Sequence, residues 1–476
     1  MPKVYDVIIA GGGVAGCAAA AALSNIASLN IAVVELCPPT KTNVHPSFDS
    51  RVIALANASL SHLRSWDFDI DAVNGAPIER IHVSDRKHIG QVVLDAQSAN
   101  VAQLGKVVRL EDLGLALYKT ITSASDGLEQ KAKVDYFTPE YIASVTRSAS
   151  ELTVVTQKAK EAEDSTEDSN ATLANAQVNT QADAQVDKAA QAQLTKTKRT
   201  QDKGGRTLKA KLLIIAEGAD SKTRNMLGIR SLQDDYEQHA VITNVTTQLP
   251  HNNCAFERFT KYGPLAFLPM ASDEQDTSKT LMSVVWTTSS HHAQAILDLP
   301  EKAFLYKLGG LFGSRLGRIE SASPRASYPL LLKQSPEFSS HRVICIGNAA
   351  QSLHPIAGQG FNLGVRDIQD LLLILQKTLA ETNELQPALK NAQDLSNAAQ
   401  TANSGAIDIG SFAVTQAYKH ARSKDKQAVI GATDLLVRGF SNHDLPFVLA
   451  RNKALIAMNA LPSAKRAFSH YAMGER

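Results

Sequence analysis

Residues 4–35 read VYDVIIAGGGVAGCAAAAALSNIASLNIAVVE, and their pattern of apolar residues and glycines is the strongest structural signal in the chain. Residues 4–10 are an apolar run with β-branched side chains, which indicates a buried strand, and the glycines at 11–13 indicate a tight turn. Residues 15–26 are rich in alanine and predict a helix, and residues 31–36 predict a second apolar strand. The stretch therefore predicts a βαβ unit.

The glycines follow the spacing Gly11-x-Gly13-x-x-Gly16 between strand and helix. The first permits the tight turn, the second lets the backbone approach a pyrophosphate, and the third lets helix and strand pack closely. The helix N-terminus then offers free N–H groups and the positive end of a dipole to phosphates. This spacing predicts a dinucleotide site.

An acid closes the second strand about 20 residues further on, where the dinucleotide fingerprint expects it to accept hydrogen bonds from both ribose hydroxyls. The pattern does not separate FAD from NAD, and a glycine-rich turn in an unrelated α/β domain is the alternative. The predicted contact residues are Gly11, Gly13, Val14, Ala15, Gly16 and Glu35.

Composition and charge are those of an ordinary globular protein. The 476 residues, of which 44% are hydrophobic and 20% charged, can form more than one domain. A formal net charge of +2 gives no argument for nucleic-acid binding. The 4 cysteines are scattered, which argues against a zinc site or disulfide scaffold and fits a reducing cytoplasm.

One uncharged run, residues 7–23, resembles the core of a signal peptide. The glycines within it and Asp6 directly before it argue against that interpretation. Other stretches fall short of the roughly 20 apolar residues of a membrane helix. We therefore expect a cytoplasmic location.

Two further strand-and-turn motifs follow. Leu213-Ile214-Ile215-Ala216-Glu217-Gly218-Ala219-Asp220-Ser221-x-x-Arg224 is a buried strand that leads into a polar turn, and alone it predicts no more than that. Residues 343–364 contain a strand that ends in Gly347-Asn348, where a side chain can reach a polyol. Pro355 stiffens the following loop, and Gly358 and Gly360 leave room for a flat ring. A helix that begins near Phe361 points its N-terminus at that ring and would stabilise negative charge there.

The rest of the chain predicts a second layer. Short β-type runs at 242–247, 256–259, 265–269 and 281–287 indicate a mainly antiparallel sheet. Residues 158–205 lack aromatic residues and lie between two strand-like runs, so we predict a disordered surface insertion, with a docking arm as the alternative. After a polar linker near 391–404, the chain is predicted to be helical.

The three motifs, in this order, resemble the group A flavin monooxygenases of the para-hydroxybenzoate hydroxylase type. The resemblance implies that the first motif binds the ADP half of FAD, that the second serves FAD and the nicotinamide donor, and that the third contacts the ribityl chain and pyrophosphate. This chain departs from the family by having Glu217 and Asn348 where the family has aspartate. Asn348 has lost a charge but still forms hydrogen bonds.

Longer matches resemble the ubiquinone-biosynthesis hydroxylases, most closely the 2-polyprenyl-6-methoxyphenol hydroxylase branch. They are GNAAQSLHPIAGQGFNLG at 347–364, FDSRVIAL at 48–55, ERFTKYGPLA at 257–266 and VWT at 285–287. This resemblance implies an FAD enzyme that uses NADH or NADPH and dioxygen to hydroxylate a polyprenylated methoxyphenol through a flavin C4a-hydroperoxide. It also implies contact with a quinone-biosynthesis assembly and with the inner face of the membrane.

The fold implied is α/β, with a Rossmann-like FAD-binding domain of the glutathione-reductase type, an inserted antiparallel β-sheet substrate domain and a helical C-terminal region. We expect the FAD-binding domain at 1–77, 101–235 and 336–385. The substrate domain is expected at 78–100 and 236–335, and the C-terminal helical region at 405–476.

The resemblance extends the site. Arg51 is expected near the flavin and phosphates, and Arg109 beside the flavin. His354 could act as an acid or base, but a positioning role is favoured because this loop lies on the flavin. The flavin-facing loop comprises His354, Pro355, Gly358 and Gln359. The cofactor contacts beyond the first motif are Arg51, Arg109, Glu217, Gly218, Gly347, Asn348, Gly358, Gln359, Gly360, Phe361 and Asn362.

Other candidates keep two interpretations. Trp286 and Phe267 either line an aromatic pocket or pack in the core. The adjacent His291 and His292 lack a third ligand nearby in the sequence, so we predict no metal. A basic cluster on a predicted helix either faces lipid headgroups or is a solvated face; its residues are Lys419, His420, Arg422, Lys424 and Lys426.

Two other functions stay open. One is a weakly active or non-catalytic FAD-binding member of a quinone-biosynthesis assembly, because Glu217 and Asn348 depart from the family. The other is a flavin reductase or oxidase of the same fold, which would insert no oxygen.

Overall fold

The computed structural model describes residues 3–37, 51–123, 131–159, 205–271, 278–352, 359–390, 408–441 and 445–475. Several sequence predictions lie outside these residues: most of the 158–205 insertion, the 391–404 linker, Phe48 to Ser50, and the loop residues His354, Pro355 and Gly358.

The first sheet contains the N-terminal βαβ unit. Its central strands run parallel in the order β19-β11-β1-β2-β8, and β18, β10 and β9 add antiparallel pairs at its margins. Parallel strands covered on both faces read as continuous apolar runs, and β2 is buried at every position. The strands are β1 Lys3–Ala10, β2 Ile31–Val34, β8 Val134–Phe137, β9 Glu140–Arg147, β10 Leu152–Lys158, β11 Thr207–Ile215, β18 Ser339–Ser340 and β19 Val343–Cys345.

The second sheet is antiparallel except for the parallel pair of β13 and β5, so the predicted sheet type is confirmed. Its order is β20-β17-β12-β15-β14-β13-β5-β6, with β16 beside β12. The strands are β5 Arg80–Asp85, β6 Gln91–Asp95, β12 Leu232–Thr247, β13 Cys254–Thr260, β14 Gly263–Pro269, β15 Leu281–Ser289, β16 Ile319–Ala322, β17 Ala326–Gln334 and β20 Gln351–Ser352. A small third sheet has the order β3-β7-β4, with β3 Val52–Ala56, β4 Gly75–Ile78 and β7 Gly105–Arg109.

The helices cover the sheets. The helix of the βαβ unit, α1, is almost wholly buried, because its run of alanines lets it lie close to the first sheet. The long helix predicted near Phe361 begins slightly earlier, at Gln359. The helices are α1 Val14–Ser24, α2 Asn57–Ser65, α3 Leu110–Ser123, α4 Lys222–Met226, α5 Ser290–Leu297, α6 Glu301–Phe312, α7 Gln359–Lys390, α8 Phe412–Ser441, α9 Leu445–Ala460 and α10 Pro462–Ala472. In the described ranges, no helix has both the length and the hydropathy of a membrane span.

The mixed α/β architecture predicted from the sequence is confirmed. The second sheet takes its strands from two separate parts of the chain. Strands β5 and β6 precede β7, the last strand of the third sheet, and the strands from β12 onward follow it. The exact domain boundaries stay predictions.

The strands on either side of the insertion pair with each other without its help. Leu152 lies opposite Ala210 and Val155 opposite Thr207, and the Thr156 N–H donates to the Arg206 carbonyl at 2.9 Å. We expect that replacing residues 160–204 with a short turn leaves FAD content unchanged and shifts the unfolding free energy by no more than about 2 kcal/mol. Thermal unfolding and flavin absorbance test this. A large loss of either would show that the segment packs or docks.

Candidate cofactor and active site

The first glycine turn is shaped by close backbone contacts. Gly11 has a φ of +99°, and a Cβ there would lie 2.9 Å from the Ala216 backbone of the second motif. A Cβ at Gly16 would lie 1.8 Å from the Gly11 carbonyl oxygen. The predicted roles of these glycines, a tight turn and close helix packing, therefore match the geometry.

The N-terminus of α1 is available to an anion. Gly13 is the N-cap residue and provides no side-chain cap, and the first helical turn contains no acidic residue. Backbone N–H groups at Val14 and Ala15 therefore face outward at the positive end of the helix dipole. This arrangement fits a diphosphate.

Glu35 lies directly after β2 beside the turn. Its carboxylate accepts hydrogen bonds from the backbone N–H groups of Gly12 and, at 2.8 Å, Cys37. The structure thus places the predicted ribose acceptor against the glycine turn, in a buried position.

Tyr136 of β8 is a neighbour of this turn that the sequence did not indicate. A Cβ at Gly12 would lie 2.1 Å from its hydroxyl oxygen. Within the described residues this buried hydroxyl has no hydrogen-bond partner, and burial raises the pKa of Tyr136 far above its usual value. The neutral hydroxyl is thus an unused hydrogen-bonding group beside the predicted ADP site. It is separated from the glycines by over a hundred residues, so sequence spacing could not have found it.

The turn of the second motif is held by hydrogen bonds within the motif and by a contact with the third motif. The Glu217 carboxylate accepts hydrogen bonds from the hydroxyls of Ser221 at 2.5 Å and Thr223 at 2.7 Å, so it caps α4. Gly218 has a φ of +87°. Buried Arg224 donates to the Ala349 carbonyl at 3.0 Å, which joins the second motif to the third.

The third motif returns to the first. Gly347 has a φ of +56°, and a Cβ there would lie 3.3 Å from the Ala15 side chain at the start of α1. A Cβ at Gly364 of α7 would lie 3.3 Å from the Gly347 Cα. Asn348, next in the turn, is exposed. The structure therefore brings all three sequence motifs to one edge of the first sheet.

The beginning of α7 is anchored beside β3. Asn362 donates to the Ala54 carbonyl at 2.9 Å and accepts from the Ala56 N–H at 2.9 Å. Gln359 is buried, and a Cβ at Gly360 would have no described atom within 4 Å. Phe361 packs at the border of the main core. The start of α7 is therefore fixed to the third sheet through Asn362.

The two predicted arginines lie near the border between the sheets. The Arg51 guanidinium lies 5.2 Å from the ring centre of Tyr328 in β17, so it faces the second sheet. Val52, which follows it, pairs with Arg109. Arg109 lines a cavity together with Val107 and Met270. Both arginines therefore lie where the third sheet meets the second sheet.

Trp286 and Phe267 pack in the core of the second sheet and do not line a pocket. Both are fully buried on the side covered by α5 and α6, and Phe267 stacks on Phe312 at 4.0 Å between ring centres. Because side chains alternate along a strand, their neighbours Ala266 and Val285 face the opposite side and are partly exposed. The side with Ala266 and Val285 is therefore the better candidate for a substrate surface.

Both interpretations of the basic cluster are wrong for two of its residues. Arg422 and Lys426 are buried between α7 and α8, with carboxylates around them, and face neither lipid nor solvent. Lys419 does lie near the surface, where it pairs with Glu337 at 2.6 Å. Helical spacing placed these cations on one helix, but the packing of α7 supplied two of the partner carboxylates, Asp367 and Asp370.

His291 and His292 lie at the exposed start of α5. The His292 ring nitrogen Nδ1 is 2.9 Å from the Ser289 hydroxyl. Across the described part of the chain, no three histidine, cysteine or acidic side chains are grouped as metal ligands.

These features define an FAD-binding α/β protein. An open helix N-terminus, close-packed glycines and a carboxylate beside the turn fit the ADP half of FAD, and the joined second and third motifs fit its remainder. Sequence comparison agrees: a family described as FAD binding domain matches residues 101–392, and a second family of that description matches 6–71. The chain belongs to the FAD-binding-domain family.

Individual relatives show which FAD-binding proteins this chain is similar to. The chain is 33% identical to ubiquinone hydroxylase UbiL of Rhodospirillum rubrum over 57% of this chain and 56% of that protein. It is 26% identical to the mitochondrial ubiquinone biosynthesis monooxygenase COQ6 of Danio rerio over 99% of this chain and 90% of that protein. These relatives confirm the resemblance to the ubiquinone-biosynthesis hydroxylases.

The fold is also shared with solved structures. The p-nitrophenol 4-monooxygenase of Pseudomonas putida DLL-E4 superposes with a TM-score of 0.64, covering 100% of both chains at 14% identity. The predicted fold class is thereby confirmed.

Proposed function

We propose that this chain is an FAD-dependent monooxygenase that hydroxylates a polyprenylated phenol ring in ubiquinone biosynthesis, with NADH or NADPH as the reductant. The observation that carries the proposal is the meeting of three distant motifs, with the Gly347 turn against Ala15 and with Arg224 bonded to Ala349. Relatives over nearly the whole chain carry names of this activity. The methoxyphenol branch and the choice of donor belong to the proposal.

The residues divide the work by position. The turn at Gly11 to Gly16 and the N-terminus of α1 bind the diphosphate, and Glu35 binds the ribose. Gly347 and Asn348 hold the polyol chain, and the start of α7, from Gln359 to Asn362, meets the flavin edge with fixed N–H dipoles. FAD, when bound, supplies the chemistry that activates dioxygen and transfers one oxygen atom to the ring.

The other site residues are proposed for orientation and for excluding water. Arg51 and Arg109 lie where the third sheet meets the second sheet, and we propose that they line the ring site on the side of β3 and β7. We propose that Glu217 and Gly218 contribute through the shape of their turn, since the Glu217 carboxylate already caps α4. His354, Pro355 and Gly358 are proposed as the flavin-facing wall that keeps water from the reacting atoms.

The substrate and setting are proposed from chemistry. A phenol ring would lie against the side of the second sheet that carries Ala266 and Val285, and its prenyl tail requires an apolar exit towards a membrane. We propose a cytoplasmic protein that meets the inner face of the membrane and a quinone-biosynthesis assembly. Buried Arg422 and Lys426 provide no support for that membrane contact.

Purified protein tests the proposal directly. We expect one non-covalent FAD per chain, its reduction by NADH or NADPH, and incorporation of one atom from labelled dioxygen into the phenol. Bound FAD that neither donor reduces would favour a non-catalytic assembly member. Reduction and turnover without label in the product would favour a reductase or oxidase. Gene deletion followed by mass spectrometry of the accumulated quinone precursor identifies the hydroxylated position.

A further inference from the structure

A buried set of charges joins α7 to α8, and we name it the charged cluster. The Arg422 guanidinium bonds three carboxylates, at 2.7 Å, 3.0 Å and 2.6 Å for Asp367, Asp370 and Asp425. Arg366 bonds Asp425 at 2.8 Å, and the Lys426 amine lies 3.5 Å from Asp367. The members are Arg366, Asp367, Asp370, Arg422, Asp425 and Lys426.

Helix packing alone does not require these charges. Burying ions costs several kcal/mol each in desolvation, and well-packed apolar residues of similar volume often serve a helix interface equally well. Asp367 and Arg422 both have side chains with 0% exposure. The buried charges therefore serve a purpose other than joining the two helices.

Asp367 also contacts the third motif. Its Oδ1 atom faces Arg422, while its Oδ2 atom accepts hydrogen bonds from the Gly347 N–H at 3.1 Å and from the Gln351 side-chain amide at 3.2 Å. One carboxylate thus connects the cations of α8 with both ends of the turn. Lys426 and Arg422 outweigh the opposite effect of burial and hold the pKa of Asp367 below its usual value.

The turn is held from several directions. Arg224 donates a hydrogen bond to the Ala349 carbonyl. Ala15, at the N-terminus of α1, lies 3.3 Å from the place that a Cβ at Gly347 would occupy. From α8, the Tyr418 hydroxyl donates to the Cys345 carbonyl, just before the turn, at 3.3 Å. Asp367 is the only charged acceptor among these contacts within the described residues.

We propose that the charged cluster, through Asp367, positions the turn from Gly347 to Ala349 to receive FAD. The inference rests on the proposed placement of this turn at the cofactor. Asp367 fixes the Gly347 N–H from behind, and Arg422 and Lys426 fix Asp367. Asp367, Arg422 and Lys426 are accordingly positioning residues, acting through the turn.

Charge balance gives the cluster a pH dependence. Among the described residues, the three carboxylates balance the three cations Arg366, Arg422 and Lys426 when all are ionised. Burial lowers the pKa of Lys426 to about 8, opposed by Asp367 and reinforced by Arg422. As pH rises through about 8, Lys426 loses its proton and an excess negative charge is left behind the turn.

In the part of the chain that the structure describes, the remaining neighbours of Lys426 do not compensate for this change. The ring centres of Phe338 and Tyr418 lie 3.8 Å and 6.0 Å from its amine. Burial raises the pKa of Cys345 to about 12 and that of Tyr418 well above its usual value, so both groups stay neutral. Repulsion of the FAD diphosphate should therefore weaken FAD binding above pH 8.

Lys426→Met tests the inference, with Lys419→Met as a matched control on the same helix. FAD dissociation from the holoprotein is measured by flavin fluorescence between pH 6.5 and 9.5, and thermal unfolding is recorded on the same samples. We expect the wild-type dissociation constant to rise roughly five- to tenfold across this range. The dissociation constant of Lys419→Met should change with pH as that of the wild type does, and the dissociation constant of Lys426→Met should not change with pH.

Asp367→Asn provides a second measurement. Its amide keeps one acceptor oxygen, which cannot serve both Arg422 and the Gly347 N–H. The loss of this hydrogen bond outweighs the removal of one negative charge behind the turn, so the FAD dissociation constant should rise roughly tenfold or more at pH 7. If this variant does not fold, the Lys426→Met profile still decides. Wild-type FAD affinity in folded Asp367→Asn, or a wild-type pH profile in Lys426→Met, would overturn the inference. Wild-type protein without any FAD affinity would instead overturn the proposed function.

Discussion

Gly16→Ala is expected to abolish stoichiometric FAD binding. The new methyl group would lie 1.8 Å from the Gly11 carbonyl oxygen, which belongs to backbone and has no flexible end that could swing away. Helix α1 must then move off the turn, and its N-terminal N–H groups leave the diphosphate position. Overpacking of this kind costs about 1–3 kcal/mol or more, so FAD affinity should fall at least roughly tenfold to a hundredfold. Flavin absorbance per folded chain, after gel filtration, measures the effect.

Gly431→Ala is the matched control, because it makes the same change in another helix. Gly431 lies in α8, and no atom of the described residues lies within 4 Å of the added methyl group. Alanine there should raise stability by about 0.5–1 kcal/mol and leave FAD content unchanged. A Gly16→Ala protein that purifies with wild-type FAD content would show that the diphosphate does not bind at this turn.

A second large effect is expected from Glu257, a carboxyl group in an apolar setting. Side chains alternate along β13, where Phe256 packs in the core under α6 and Glu257 faces the other side. Its neighbours on that side, Ala255 and Phe259, belong to an apolar cluster with Leu455 of α9. Among the described residues, no hydrogen bond or ion pair satisfies the carboxylate. The residue keeps part of its surface exposed, but its apolar surroundings desolvate the carboxyl group and raise the pKa of Glu257 to about 7.

The sign of the pH effect follows from this shift. The pKa of Glu257 in the folded protein exceeds its pKa in the unfolded chain. The stability that this group contributes to the folded state is therefore fully present below about pH 4.5 and is lost as pH rises through about 7. Glu257→Gln keeps the shape of the protonated acid without the titration. We expect the variant to match the wild type near pH 5 and to be more stable by about 2–3 kcal/mol at pH 8.5.

Thermal unfolding of both proteins at pH 5, 7 and 8.5 measures this difference. Glu320→Gln is the control, since Glu320 is exposed in β16 of the same sheet. A constant difference between wild type and Glu257→Gln at all three pH values would mean that the carboxyl group already has a partner.

Local spacing accounts for the part of the site that the sequence predicted. The contacts within residues 4–35 span few residues, so the positions of Gly11, Gly16 and Glu35 on strand, turn and helix follow from short-range geometry alone. Their arrangement in the structure agrees with the spacing. The long run at 347–364 likewise identified the family, because its residue types are specific even without coordinates.

The burial and pairing of several side chains depend on contacts between distant segments, so they became known only from the tertiary structure. Helical spacing grouped Arg422 and Lys426 with surface cations, yet α7 brings Asp367 against them and buries all three. The strand pattern was equally consistent with Trp286 in a pocket and with Trp286 in the core. The packing of α6 over this face of the sheet places Trp286 in the core. Sequence by itself determined the βαβ unit, the family and the cofactor, since these rest on local spacing and residue identity. Only the folded chain determined which charges are buried and what holds the Gly347 turn, because burial and charge pairing arise from segments that the sequence keeps far apart.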